Sequence, residues 1–350
     1  MVDSPPQPQT EPPPAETVPA RRQVTRAVGL LVSLGVLLLL VVASIAIGAK
    51  QIPVGDVWHG LFGNTGTDND VVIRELRLPR TLLGLLAGAA LGLAGAVMQA
   101  LTRNPLADPG LLGINAGASA AVVSAISFFG VTSLTGYVWF AFAGAAAVMV
   151  LVYVLGGVRA ATPVRLALAG TAATAALYGY INAVQIMDTA ALDKMRFWTV
   201  GSLASASMST VGQVLPFIGV GIVLALGVAR PLNAMGMGDD TARALGAHVG
   251  RTRAVAMLAV TLLCGAATAA CGPIVFVGLM VPHIVRSFTG PDQRWILPYA
   301  TILSPVLLLG ADVIGRVVTR PAELQVGIVT ALIGGPLFIF LVRRRRMAQL

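Results

Sequence analysis

The chain has 350 residues, 56% of them hydrophobic and 11% charged, with a formal net charge of +9. A soluble domain of this size cannot hide so much apolar surface from water, so the bilayer is the expected solvent and spans of about 20 apolar residues should recur. Basic loop ends that orient membrane helices explain the positive balance without a nucleic-acid partner.

The first 20 residues are rich in Pro, Gln and Glu and contain no aromatic residue. Residues 1–26 are expected to form a disordered cytoplasmic tail. A cleaved signal peptide is not expected there, because it would need a basic start and a short apolar core and this start is acidic and Pro-rich. Arg21, Arg22 and Arg26 precede the first apolar run and should hold that end inside. The domain proper is then 27–350.

Arg26 and Lys50 bracket the first span. Residues 51–79 are polar and read as an external loop. The second span runs from about Arg80 to Leu101, with Gly84, Gly88 and Gly92 on one face, so that a neighbouring helix can approach closely. The uncharged stretch between Asp108 and Arg159 fits two spans that turn near Gly130–Gly136. Arg165 to Asp188 brackets a fifth. Residues 189–209, with Phe197 and Trp198, read as an external connection. A sixth span reaches about Ala229, and a charged cytoplasmic loop follows over 231–253. The seventh breaks at Gly272–Pro273, Ile274–Val285 is a short returning helix, and 295–311 and 324–342 complete ten spans with both termini inside.

Leu85–Leu86, Gly88–Ala90, Gly95 and Pro105 recur at one fixed offset as Leu262–Leu263, Gly265–Ala267, Gly272 and Pro282. Five spans per half would make this an inverted repeat of the kind transporters use. Cys264 and Cys271 lie roughly 10 Å apart along one helix, too far for a disulfide, and read as small buried apolar side chains.

Three groups of residues carry candidate function. Asn104–Pro105–Leu106 interrupts the chain after the second span; such a break is an ordinary turn or lines a path through the membrane. Gly238 to Gly246, with Asp239, Asp240, Ala242, Arg243 and Leu245, fits a helix of about two turns, capped by an Asp beside Thr241 and ended by Gly246. It is long enough to seat in a partner's groove and too short to stand alone. Arg77, Arg80 and Arg316 fall on the outer side, against the usual charge bias, where planar guanidinium forks suit carboxylates; Asp312 and Arg316 are spaced to pair with each other. The three His, at 59, 248 and 283, have no metal-ligand spacing. No P-loop pattern occurs, and no catalytic acid, base or nucleophile is embedded mid-span. The chain is therefore expected to be no enzyme, with no catalytic residue, metal or cofactor of its own.

With these residues in view, the chain resembles the iron-siderophore and vitamin B12 class of ABC importer permeases, the FecCD family. The resemblance rests on Arg77-Leu-Pro-Arg80-Thr-Leu, Gly95-Ala-Val-Met-Gln99, Asn104-Pro-Leu-Ala-Asp-Pro-Gly-Leu-Leu-Gly113, Phe197-Trp198 before Gly201-Ser-Leu203, the run from Gly272 to Ile284, and Ala311-Asp312 before Gly315-Arg316. Within the family the pattern is most similar to subunits that carry ferric enterobactin. It departs at Gln325, where the family usually has Pro after Glu323–Leu324.

The resemblance implies an all-α, type II importer fold in the plasma (inner) membrane. It implies two permease subunits around a central pathway, here a heterodimer with a related chain. Two ATP-binding subunits would sit below, and an external binding protein would deliver a catecholate ferric siderophore. ATP and Mg would belong to the ATPase, and iron would enter only as cargo. Arg77, Arg80 and Arg316 would dock the binding protein, Gly238–Gly246 would couple to the ATPase, and Asn104–Leu106 with Thr162–Pro163 would form the inner constriction. Cobalamin or haem is the alternative cargo, and an ion-gradient-driven carrier is the alternative class.

Overall fold

The structure, a computed structural model, describes residues 20–48, 50, 52–63, 66–131, 133–157 and 162–347. All regular structure among these is helical. In chain order the helices are α1 (Ala20–Ala46), α2 (Val54–Phe62), α3 (Asp68–Val71), α4 (Leu78–Thr102), α5 (Ile114–Phe129), α6 (Leu134–Leu155), α7 (Pro163–Met187), α8 (Thr189–Trp198), α9 (Met208–Gly227), α10 (Ala229–Gly236), α11 (Asp239–Ala244), α12 (Val249–Cys271), α13 (Val277–Thr289), α14 (Gln293–Val318) and α15 (Val326–Met347).

Each of the ten expected segments is a helix. Seven are long and apolar enough to cross a bilayer; α5 and the 326–340 stretch of α15 are shorter apolar helices. α13 has 13 residues.

Several boundaries differ from the sequence reading. Residues 1–19 of the expected tail lie outside the described residues, but 20–26 belong to α1. The stretch 51–79 is not simply a loop. It holds α2 and α3, and from Asp68 the chain winds continuously through a π-helical stretch, Val72–Arg77, into α4. A Thr67/Asp70 capping box starts this 35-residue helix, twelve positions before Arg80. Arg77 and Arg80 are therefore inside a helix, not at its mouth. The polarity of 51–79 came from short-helix caps and buried partners, which composition alone does not separate from a loop. The 189–209 connection likewise contains a helix, α8, capped by Asp188.

The core lies around α4 and α12, the most buried spans. Small residues let backbone meet backbone there. A methyl group at Gly88 would lie 2.6 Å from Cα of Pro305 in α14, and one at Gly92 would lie 1.9 Å from the Ser304 hydroxyl. At Gly95 it would lie 1.9 Å from the carbonyl oxygen of Gly278 in α13. This last approach has a polar consequence. Pro282 has no N–H to give the carbonyl of Gly278 one turn back. The Gln99 side-chain amide donates to that carbonyl at 3.3 Å and to that of Leu279 at 3.0 Å.

The repeat holds only in part. Its Leu-Leu and Gly-Ala-Ala segments fall within the two central helices. Beyond them Gly95 is mid-helix whereas Gly272 ends α12, and Pro105 is in a turn whereas Pro282 is inside α13. Cys264 and Cys271 are both buried and free.

Candidate functional site: two linked clusters at the ends of α4

At the N-terminal end of α4, two guanidiniums close the end of α1. The last carbonyls of a helix have no partner within it. Arg77 Nη1 donates to the carbonyls of Ile45 at 2.6 Å and Ala46 at 2.8 Å, and its Nη2 to that of Lys50. Arg316 Nη1 donates to the Ser44 carbonyl at 2.9 Å and its Nη2 to the Ser44 hydroxyl at 3.0 Å. Placing cations at this end also suits the helix dipole.

Two carboxylates hold this cluster together. Arg80 reaches Asp312 at 2.8 Å and Glu323 at 2.6 Å, and Arg316 reaches the other oxygen of Asp312 at 3.0 Å. Arg77, Arg80 and Arg316 are 5%, 8% and 2% exposed. The three arginines expected on the outer side to meet a partner's carboxylates are instead all buried and bound within the chain. Local spacing found the Asp312–Arg316 pair. It missed Glu323 and the α1 carbonyls, because no short-range pattern marks a partner 31 to 272 residues away.

At the other end of α4 lies the second cluster. Arg103 caps the helix in the left-handed conformation, at φ 51°. Its Nε donates to the Met235 carbonyl at 2.8 Å, and its guanidinium pairs with Asp239. Arg253 of α12 binds the other oxygen of Asp239 at 3.1 Å. One carboxylate therefore joins α4, α11 and α12.

The next residues are Asn104, Pro105 and Leu106. The Asn104 side chain accepts from Leu106 N–H at 2.9 Å, which tightens the turn. Asp108 then caps the short 3-10 stretch Pro109–Leu112 by accepting from Gly110 N–H at 2.7 Å, and burial pushes its carboxyl above the usual carboxylate range. Thr162 caps α7 by accepting from Arg165 N–H at 3.3 Å, with Pro163 at the first position. α7 lies directly on the 3-10 stretch: a methyl at Gly170 would be 2.1 Å from the Leu111 carbonyl oxygen. The helix that Thr162–Pro163 opens therefore touches the 3-10 stretch that follows the Asn104–Leu106 turn.

Helix α11 is short, as expected, but its start differs. Gly238 at φ 112° takes the capping position without a side chain, and Asp239 and Asp240 occupy the first turn, where negative charge faces the positive end of the dipole. Asp240 binds Arg243 at 2.7 Å. The far end matches expectation. Gly246, at φ 82°, donates to the Arg243 carbonyl and Ala247 to that of Ala242, both at 2.9 Å, which is a Schellman ending. Ala242 is fully buried whereas Leu245 is 63% exposed. α11 is thus anchored on one side and carries an apolar side chain outward on the other. Sequence reasoning missed Arg103 and Arg253; the only signal was a basic residue beside Asn-Pro and another in the first turns of α12.

This arrangement contains no three-residue group of His, Cys, Asp or Glu suited to a metal among the described residues. It joins a short surface helix to the break after a central span.

Comparison with known proteins places the chain in a family. The FecCD transport family profile matches residues 36–344. The chain is 47% identical over 327 residues to the ferric enterobactin transport system permease protein FepD of Escherichia coli, covering 92% of this chain and 97% of that protein. It is 39% identical to the Fe(3+)-citrate import system permease protein YfmD of Bacillus subtilis, over 93% of this chain and 97% of that one. It is 37% identical to the hemin transport system permease protein HmuU of Yersinia pestis, over 89% and 93%. A solved structure of an inward-facing metal-chelate type ABC transporter superposes with a TM-score of 0.79 at 27% identity, covering 91% of this chain and 99% of that one. The long apolar helices and these matches lead to one conclusion: the chain belongs to the FecCD transport family.

Proposed function

We propose that this chain is the permease subunit of an ATP-driven importer that carries a ferric catecholate siderophore, of enterobactin type, into the cytoplasm. The observation that carries the reading is α11, short, exposed at Leu245 and tied through Asp239 to Arg103, the residue before Asn104–Pro105–Leu106. A push on α11 reaches the break after α4 through one ion pair. Gly238–Gly246 is thus the coupling element for a separate ATPase, which holds ATP and Mg, while this chain performs no covalent chemistry. Asn104–Leu106 and Thr162–Pro163 form the inner constriction.

The subunit lies in the inner membrane with ten spans in an inverted repeat and both termini cytoplasmic. The opposite face, ordered by Arg77, Arg80 and Arg316, receives an external siderophore-binding protein. These arginines act there by fixing α1 and the Glu323 loop rather than as free guanidiniums. A heterodimer is favoured because two differently named permeases of one Escherichia coli system, FecC and FecD, both match this chain, at 39% and 36% identity. Enterobactin-type cargo is favoured by the 47% identity to FepD.

The test is uptake into proteoliposomes that hold this chain, its partner permease and ATPase, with the binding protein outside. Ferric tris-catecholate should enter only with ATP. Haem uptake at a higher rate would favour the second reading, which the likeness to HmuU supports. Uptake sustained by membrane potential after ATP depletion would overturn the class.

A further inference from the structure

Beside α11 the chain carries a basic cleft whose charged residues belong to neither cluster. Its volume is about 450 Å³, and Arg230, His248 and Arg251 stand on its rim above walls that include Val228 and Val255. The three rim residues are exposed. Neither Arg230 nor Arg251 forms an ion pair among the described residues, and no carboxylate lines the cleft. A second hollow adjoins it at Gly246–Arg251, around the start of α12. That start has no side-chain cap, so helix N–H groups add positive potential to the guanidiniums.

Position decides what this charge meets. Arg230 follows the end of α9 and Arg251 lies in the first turn of α12, both helices long and apolar enough to span. Both guanidiniums therefore stand at headgroup level. Below them the surface turns apolar. Arg251, Val255 and Leu258 fall on one face of α12 by their spacing, and Leu258 is 51% exposed. On α9, Val223 and Leu226 are 70% and 41% exposed. Basic rim, apolar wall and apolar strip follow the order of an anionic headgroup, its glycerol and its acyl chains.

We propose that this cleft binds an anionic phospholipid of the cytoplasmic leaflet, with its phosphate between Arg230 and Arg251 and its chains along α9 and α12. The leaflet rests on the orientation given above; the site itself does not depend on the cargo. Since Leu245 and Gly246 also line the cleft, the bound lipid would steady the end of the coupling helix.

The test is thermal unfolding of the full-length chain, assembled with its ATPase in neutral detergent. The complex, and in parallel the full-length chain without its ATPase, is titrated with phosphatidylglycerol, phosphatidylcholine or inorganic phosphate. Phosphatidylglycerol should raise the unfolding temperature by several degrees. Arg230→Gln with Arg251→Gln should remove that rise without changing the lipid-free value or ATPase assembly, while Lys at both positions retains it. An equal rise with phosphatidylcholine, or in the Gln pair, overturns the proposal. A rise reproduced by inorganic phosphate makes this a free-anion site, and a rise that vanishes once the ATPase is bound assigns the cleft to an acidic surface of that partner; either result overturns it. Should the Gln pair fail to fold, photoactivatable phosphatidylglycerol on the unaltered chain decides: labelling of the Arg251 peptide supports the site, and labelling elsewhere alone refutes it. Neither readout needs a siderophore, so failure of the cargo assignment leaves the result standing.

Discussion

The carboxylate of Asp312 lies 2.8 Å from the guanidinium of Arg80, although 232 residues separate them, and it is fully buried. The same carboxylate also holds Arg316. Removing one partner of a buried ion network leaves uncompensated charge, which costs about 3–5 kcal/mol. Asp312→Ala should therefore lower the unfolding temperature sharply and reduce folded yield in detergent. Asp240→Ala, whose side chain is 99% exposed, should leave the unfolding temperature unchanged.

Gln99 and Pro282 should be energetically coupled. Gln99→Leu strips the Gly278 carbonyl of its donor and should cost about 1–3 kcal/mol. In a Pro282→Ala background the helix regains its own N–H at that position, so the same change should cost less. A double-mutant cycle from thermal unfolding measures the difference.

Glycines should divide by what surrounds them. Gly95→Ala would press a methyl to 1.9 Å from a backbone oxygen that cannot turn aside, and should cost about 3 kcal/mol or prevent folding. Gly310→Ala in α14 meets nothing within 4 Å and should be neutral or stabilising by up to about 1 kcal/mol. Expression and unfolding temperature of the two variants separate them.

Leu245 and Asp239 should fail in different ways. Leu245 is exposed, so Leu245→Asp should preserve unfolding temperature while abolishing ATPase co-purification and uptake. Asp239→Asn weakens the link to Arg103 and Arg253. It should retain the ATPase but reduce uptake per ATP hydrolysed, as measured in proteoliposomes.

Asp108 gives a pH prediction with a definite sign. Burial raises its carboxyl above the unfolded value, so the folded chain keeps this proton to higher pH. Its contribution is most favourable below the ordinary carboxylate range and declines as pH rises through the raised value. Asp108→Asn keeps a capping acceptor without the charge. Relative to the native chain, the variant should gain in unfolding temperature as pH rises above the ordinary carboxylate range of about 4, and the gain should vanish at the acid end.

Much of this protein was legible from residue order, because its causes are local. Apolar runs of bilayer length locate α1, α4 and α12 whatever packs beside them. A Gly-x-x-x-Gly face at Gly84–Gly92 announces a close neighbour, and a glycine after a short polar helix announces the end of α11. Tertiary structure alone decided where the charges went. Arg77, Arg80 and Arg316 read as an outward patch, yet folding brings Asp312, Glu323 and the last carbonyls of α1 around them. Likewise, nothing near Arg103 in sequence indicates Asp239. A guanidinium is satisfied by whatever acceptor the fold delivers within about 3 Å, and that distance is set by the packing of helices remote in the chain.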